Sequence, residues 1–191
     1  MERYSEYKDS GNEIIGLIPK HWDLVKLKFL CSGFSNGTTS NQIDKDKNTV
    51  PVTRIETISD GSINFNKVGY VDYNTNLDSY KLKKGDLLLS HINSYDRVGN
   101  SAVYDSDIDL YHGMNLLRLT PKENINKQYL YIYFKSLCFI LQMQRKCKPA
   151  INQVSVPAKV IKNLYSTFPP LAEQEKIVNF LEDKTSKIEL M

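Results

Sequence analysis

Apolar residues recur along this chain with two periods, and the change between them divides it. Between residues 50 and 120 they come in short runs broken by Gly, Asn, Asp and Ser, the pattern of strands joined by turns. This predicts strands at 50–55, at 62–71 around Phe65 and Val68, at 86–92, at 101–104 and at 115–120, with Pro121 ending the last. Lys84-Gly85-Asp86 forms a turn just before the unbroken run Leu87-Leu88-Leu89. From 126 to 147 the spacing lengthens to three and four. Tyr129, Ile132, Tyr133, Phe134, Leu137, Ile140, Leu141 and Met143 share one face of a predicted helix. A loop at 148–157 and a strand at 160–168 follow, and then Pro169-Pro170, which no helix interior tolerates. After Pro170 a second helix begins. Ile177, Leu181 and Ile188 fall near one side of it, Val178 and Phe180 widen that face, and Lys184 interrupts it.

The opening of the chain is different. Residues 1–13 are polar, Gly11-Asn12 reads as a loose break, and the fold proper is expected to start near Ile14. Trp22, Leu24, Val25, Leu27, Phe29 and Leu30 make a short apolar element that Cys31-Ser32-Gly33 should end, and 34–49 have the composition of an exposed loop. Many strands, one packed helix and a terminal helix give an α+β class with a mixed, mostly antiparallel sheet, not a doubly wound parallel one. The 191 residues, 41% of them hydrophobic, suffice for one core plus an appendage. The divisions read this way are a lead-in at 1–13, a main unit at 14–170 and a helix at 171–191.

A formal net charge of +3 is too small to announce a nucleic-acid binder, so any such surface must come from segregated charge. Lys122, Lys127, Lys135, Arg145, Lys146 and Lys148 face only Glu123 in their stretch, while Asp105, Asp107 and Asp109 form an acidic patch. Such a run also solvates an ordinary helix face. Cys31, Cys138 and Cys147 are odd in number and lack a Cys-x-x-Cys pair, so neither a disulfide framework nor a zinc site is indicated. A charged start without an apolar core, and no apolar run of membrane-spanning length, place the protein in the cytosol.

The search for catalysis is mostly negative. Glycine-rich phrases for dinucleotides, methyl donors or nucleotide phosphates are missing, as are the Asn-Pro-Pro-Tyr and Asp-Pro-Pro-Tyr phrases of amino-methyltransferases. His21, His91 and His112 lack a nucleophile-elbow frame, and Asp86, Asp96 and Arg97 do not make a metal-nuclease pattern. No catalytic residue, metal ligand or cofactor is assigned.

The loops instead carry amides and hydroxyls suited to base edges and cations suited to guanine or phosphate. Candidates are Asn36, Thr38, Thr39 and Ser40 in one loop, and His91, Asn93, Tyr95 and Arg97 after the Leu87–Leu89 run. Arg54 and Asn115 sit at strand ends, where recognition residues often project, and Arg145, Lys148 and Gln153 follow the helix. Each has a bland alternative: a mobile turn, an Asp96–Arg97 surface pair, a chain turn at Asn152.

Two phrases sharpen the reading. Pro169-Pro170-Leu171-Ala172-Glu173-Gln174-Glu175-Lys176-Ile177 resembles the Pro-Leu-Pro-Pro-Leu-x-Glu-Gln-x-x-Ile phrase that opens a long helix in the specificity subunits of type I restriction-modification systems, with Thr167 and Phe168 departing from its start. Gly16-Leu17-Ile18-Pro19-Lys20-His21-Trp22 is similar to the Gly-x-Ile-Pro-x-x-Trp opening of that family's target recognition domains. The loop at 35–42 matches the family's Gly-x-Thr-Pro-Ser-like loop, with Thr39 in place of the proline.

The resemblance implies a non-catalytic half-length subunit with one target recognition domain and the start of a spacer helix. Such a chain would bind one half of a bipartite site in double-stranded DNA and dock methyltransferase subunits, with a restriction motor-nuclease subunit joining the complex. Ile177, Leu181 and Ile188 would anchor the subunit interface, and a homodimer through the helix would read an interrupted palindrome. S-adenosylmethionine, ATP and magnesium would belong to the partners. Different readings of the same residues are a protein-interaction or antitoxin-like module without DNA affinity, a stand-alone nuclease, or the recognition domain of a fused restriction-methylation enzyme.

Overall fold

The computed structural model describes residues 4–150 and 153–189, with the side chains of Ala150 and of 186–189 outside the description. In chain order the elements are β1 (Tyr7–Asp9), β2 (Leu17–Pro19), β3 (Asp23–Lys26), α1 (Leu27–Leu30), β4 (Cys31–Asn36), β5 (Thr49–Val52), β6 (Gly69–Asp72), β7 (Asp86–Leu89) and β8 (Ile92–Asn93). They continue with β9 (Ser101–Tyr104), β10 (Leu117–Pro121), α2 (Lys127–Lys135), α3 (Leu137–Arg145), β11 (Lys148–Ala150), β12 (Gln153–Ser155), α4 (Ala158–Ile161), β13 (Tyr165–Phe168) and α5 (Leu171–Glu189). The named strand pairs are all antiparallel, in a mixed α+β arrangement that ends in a long helix.

A four-stranded sheet in the order β4-β10-β7-β9 is the centre. Successive residues of a strand point to opposite faces. Leu87, Leu89, Leu117 and Leu119 therefore join Leu130, Phe134, Phe139 and Met143 of the helices in the main core, while Leu88, Ala102 and Tyr104 turn to a second core with Ile58, Leu82, Leu110 and Leu116. Burial on both faces is why the Leu87–Leu89 run shows no alternation.

The helix read at 126–147 is two helices. Ser136 takes an extended backbone, its hydroxyl accepts from Phe139 N at 3.3 Å, and its own N–H donates to Tyr133 O. A serine that caps a new helix competes with continuation of the old one, which apolar spacing does not register. The break lets Phe134 and Phe139 stack at 4.4 Å. Gln142, fully buried, then ties α3 to β13. Its amide donates to Tyr133 Oη and Tyr165 O, and its carbonyl accepts from Tyr165 N.

Other boundaries move as well. Cys31-Ser32-Gly33 starts β4 instead of ending an element, because β10 supplies it with a partner. The expected strand at 62–71 is a 3-10 turn at Phe65–Lys67 followed by β6, and 50–55 shortens to β5 before a 3-10 turn at Ile55–Ile58. The 148–157 loop holds the β11–β12 hairpin, and the start of the 160–168 strand is α4. Within the polar lead-in, Tyr7–Asp9 pair with Leu17–Pro19.

In α5, Gln174 and Val178 point inward, Ile177 is half-buried and Leu181 is exposed. The side chain of Ile188 lies outside the described residues. No helix among the described residues is long and apolar enough to cross a membrane.

Candidate nucleic-acid interface

Three chain segments meet at one backbone junction. Thr38 N donates to His112 O at 2.8 Å, Gly113 N donates to Thr53 Oγ1 at 2.9 Å, and Thr53 N donates to Tyr111 O. Gly37 and Gly113 make this approach possible. A Cβ on Gly37 would lie 2.2 Å from His112 O, and one on Gly113 would lie 2.1 Å from Thr53 O. The junction thus carries the Asn36–Ser40 loop, the Gly113–Asn115 loop and Arg54 on neighbouring chain.

Beside it lies an open groove of about 500 Å³ lined by Arg54, Glu56, Asn66, Lys67, Asn93 and Arg97 among others. Arg54 pairs with Glu56 at 3.4 Å and Lys67 with Asp60 at 3.1 Å, both on the surface. Arg97 is exposed, and no ion pair joins it to Asp96 among the described residues. Gln42 also borders Arg54: a Cβ on Gly69 would sit 2.4 Å from its Oε1. β8 pairs with β12, Asn93 opposite Val154, so the β11–β12 hairpin with exposed Lys148 and Gln153 adjoins the groove. Gln144 of α3 donates to Tyr95 O at 3.3 Å and holds the exposed Tyr95 beside that sheet.

Not every candidate is presented to solvent. Thr38 is buried, and its hydroxyl bonds Ser40 Oγ at 2.8 Å and accepts from Ser40 N, so it shapes the loop while Asn36, Thr39 and Ser40 face outward. His91 is likewise turned into the protein. A carbonyl can only accept, so Nδ1 carries the proton and donates to Val156 O at 3.2 Å, leaving Nε2 buried without a partner. Asn93 spends its amide on Ser90 Oγ and Ser94 N. Asn115 is exposed next to the junction. Arg145 lies away from the groove, paired with Glu13 at 3.4 Å across a separate cleft.

His112 supports the junction from below: its Nε2 donates to Leu116 O at 3.0 Å and its Nδ1 is buried unpartnered. Burial disfavours the imidazolium, pushing its pKa down to about 4, and lowers that of His91 in the same way.

The basic run from 122 to 148 does not form one surface. Lys122 and Lys127 border a larger groove of about 1050 Å³ with Lys81, Lys84 and Arg118. There Lys81 pairs with Asp109 and Lys84 with Asp107, while Arg118 donates to Ser35 Oγ and to the carbonyls of Ser79 and Lys81. The acidic patch thus neutralises much of that groove. Asp86 is buried there, accepting from Thr120 Oγ1 and Lys83 N at 2.9 Å each, so it acts as a strand-end anchor. Lys67, Asn66 and Gln42, which sequence reasoning missed, lie in segments whose polarity matched any turn. Only Gly69, against Gln42, offered a signal.

Residues 19–191 match the family described as type I restriction modification DNA specificity domain. The chain is 39% identical over 190 residues to the type I restriction enzyme MjaX specificity subunit of Methanocaldococcus jannaschii, covering 96% of this chain and 44% of that protein. It is 26% identical to the EcoKI specificity subunit of Escherichia coli K12, over 86% of this chain and 36% of that one. The fold is similar to the crystal structure of the HsdS subunit from Thermoanaerobacter tengcongensis, with a TM-score of 0.67 at 18% identity, over 96% of this chain and 41% of that one. The chain therefore spans less than half the length of these relatives. With two thirds of the helix-opening phrase, the Trp22 phrase and the whole recognition unit inside the match, the chain belongs to the type I restriction-modification DNA specificity family.

Proposed function

We propose that this chain is a non-catalytic DNA-recognition unit that reads one half-site of a bipartite target. The observation that carries this reading is the convergence of Arg54, Arg97 and Lys67 on one groove, flanked by the polar Asn36–Ser40 loop and by a hairpin bearing Lys148 and Gln153. Arg97 and Gln153 have the geometry classes that read guanine and adenine, and Lys148 suits phosphate. α5 then serves as the docking element for methyltransferase subunits or for a second copy, through Leu181 and the exposed Phe180 beside it. A motor-nuclease subunit joins through that complex, and methyl donor, ATP and magnesium chemistry belongs to the partners.

The test is co-purification with the methyltransferase subunit encoded beside it, then mapping of methylated adenines with and without this chain. A motif that vanishes without the chain supports the reading; unchanged methylation overturns it. Within that assay Arg97→Ala is expected to relax preference at one base position, a roughly 10- to 100-fold loss of discrimination. Lys148→Ala should weaken binding to all sequences alike and lower the salt slope by about one, as one lost phosphate contact does. A reading in which both substitutions act alike on all sequences is incompatible with this map.

Leu181→Glu probes the other face. It is expected to abolish co-purification while shifting stability by no more than about 0.5 kcal/mol, because the side chain is exposed in the chain alone. Loss of the folded unit itself would assign α5 to the core instead.

A further inference from the structure

The two sequence phrases lie about 150 residues apart, and the fold brings them into one clasp at the root of α5. Glu173 receives the hydroxyl of Tyr4 on Oε1 and lies 2.8 Å from His21 Nε2 through Oε2. Tyr4 in turn meets the Trp22 ring edge-on at 5.7 Å. The Trp22 indole nitrogen is buried beside this carboxylate. Gln174, fully buried, grips from the other side: its Oε1 accepts from Asn126 N at 3.1 Å and its Nε2 donates to Pro169 O at 2.8 Å. One residue thus ties α5 to the N-terminal segment and the next ties it to the start of α2. Neither bond set is needed for helix formation, since Glu and Gln are ordinary helix formers.

We propose that Glu173 and Gln174 are positioning residues that fix the direction in which α5 leaves the recognition unit, and so set the spacing at which the unit's half-site is read. The spacing clause rests on the DNA reading above; the direction clause does not. Leverage makes the direction matter. The 19 residues of α5 span about 28 Å, so a tilt of about 10° displaces the far end by about 5 Å, more than the roughly 3.4 Å between neighbouring base pairs. A backbone link through Pro169-Pro170 alone has nothing that resists such a tilt, whereas side-chain bonds on two sides of the helix do.

The experiment uses the full chain with Cys138→Ser and Cys147→Ser, spin-labelled after Asp72→Cys and Thr185→Cys, and reads the label-to-label distance distribution by pulsed electron resonance. The parent is expected to give one narrow distribution. Glu173→Ala and Gln174→Ala should broaden it about twofold, the spread that a loosening of roughly 10° gives at the end of such a helix. Glu175→Ala, on the exposed side, should leave it narrow. Should Gln174→Ala fail to fold, Glu173→Ala decides, because its carboxylate sits at the rim and not in the core. Equal widths in parent and Glu173→Ala overturn the proposal, as does a parent as broad as the variant. The spacing clause is read in the assembled methyltransferase: Glu173→Ala should methylate half-sites at more than one spacer length where the parent uses one. A parent that methylates nothing overturns the DNA reading and leaves the distance result standing; a Glu173→Ala complex keeping the single spacing overturns the spacing clause alone.

Discussion

Alanine in place of Gly113 is expected to destabilise the chain by about 3 kcal/mol and to abolish DNA binding, a larger effect than any single contact in the groove. The added methyl would start 2.1 Å from Thr53 O and 3.2 Å from its carbonyl carbon, so backbone and not a flexible side chain has to move. Overpacking typically costs about 1–3 kcal/mol, and a clash with main chain lies at the upper end. Moving Thr53 also breaks the Gly113 N to Thr53 Oγ1 bond and the Thr53 N to Tyr111 O bond, which carry Arg54. Urea unfolding monitored by circular dichroism, with DNA titrations at fixed salt, separates the two effects. A variant with parental stability and parental DNA affinity would show that the three-segment junction does not organise the site.

Mild acid should have a comparably large effect, through histidines that touch no ligand. His112 titrates near 4 in the folded chain because its ring is buried, against an ordinary value of 6.5. Between those two values the unfolded chain binds a proton that the folded chain refuses. Stability from this group is therefore complete above pH 6.5 and is lost progressively as pH falls toward 4, by on the order of 3 kcal/mol in total. His91, lowered by burial too, acts in the same direction. The measurement is the urea midpoint at pH 7.5, 5.5 and 4.5. It should fall at each step, and His112→Gln, whose amide can still donate to Leu116 O, should flatten the fall. A midpoint independent of pH across this window would mean that the His112 ring reaches water.

Glu173 adds a weaker dependence at lower pH. Partial burial alone would raise its pKa, but the hydrogen bonds from Tyr4 and His21 outweigh that and hold the carboxyl below its usual range. Its contribution to the clasp is present above the ordinary carboxylate value and lost as pH falls through the depressed one. Loosening of α5 should thus follow the loss of His112 stability on acidification, not precede it.

Some of this was legible in the chain before any coordinates. Helical spacing at 127–145, the proline stop and the helix after it, the strand-rich middle and the α+β class all follow from periodicities that local sterics enforce. The two phrases at 16–22 and 169–177 pointed to a family because they combine backbone signals, Gly16 at φ 69° and the paired prolines, with side chains that have fixed partners. The candidate loops, too, were found by composition, since groups that read bases must be polar and near strand ends.

What spacing left open was decided by partners distant in sequence. Thr38 and His91 have the same residue types as exposed recognition positions, yet one is buried under Ser40 and the other donates to Val156. Arg145 belongs to a basic run but answers to Glu13, 132 residues away. Cys31-Ser32-Gly33 reads as a stop until β10 offers its edge, and Ser136 reads as helix until its hydroxyl finds Phe139 N. Local sequence thus determined which elements form and which residue types crowd the loops, because dihedral preference and side-chain period act over a few residues. Only the tertiary structure decided which polar groups face solvent, which cations stay unpaired, and that the Trp22 and Glu173 phrases form one clasp, because hydrogen bonds and burial are settled between segments that the chain brings together only on folding.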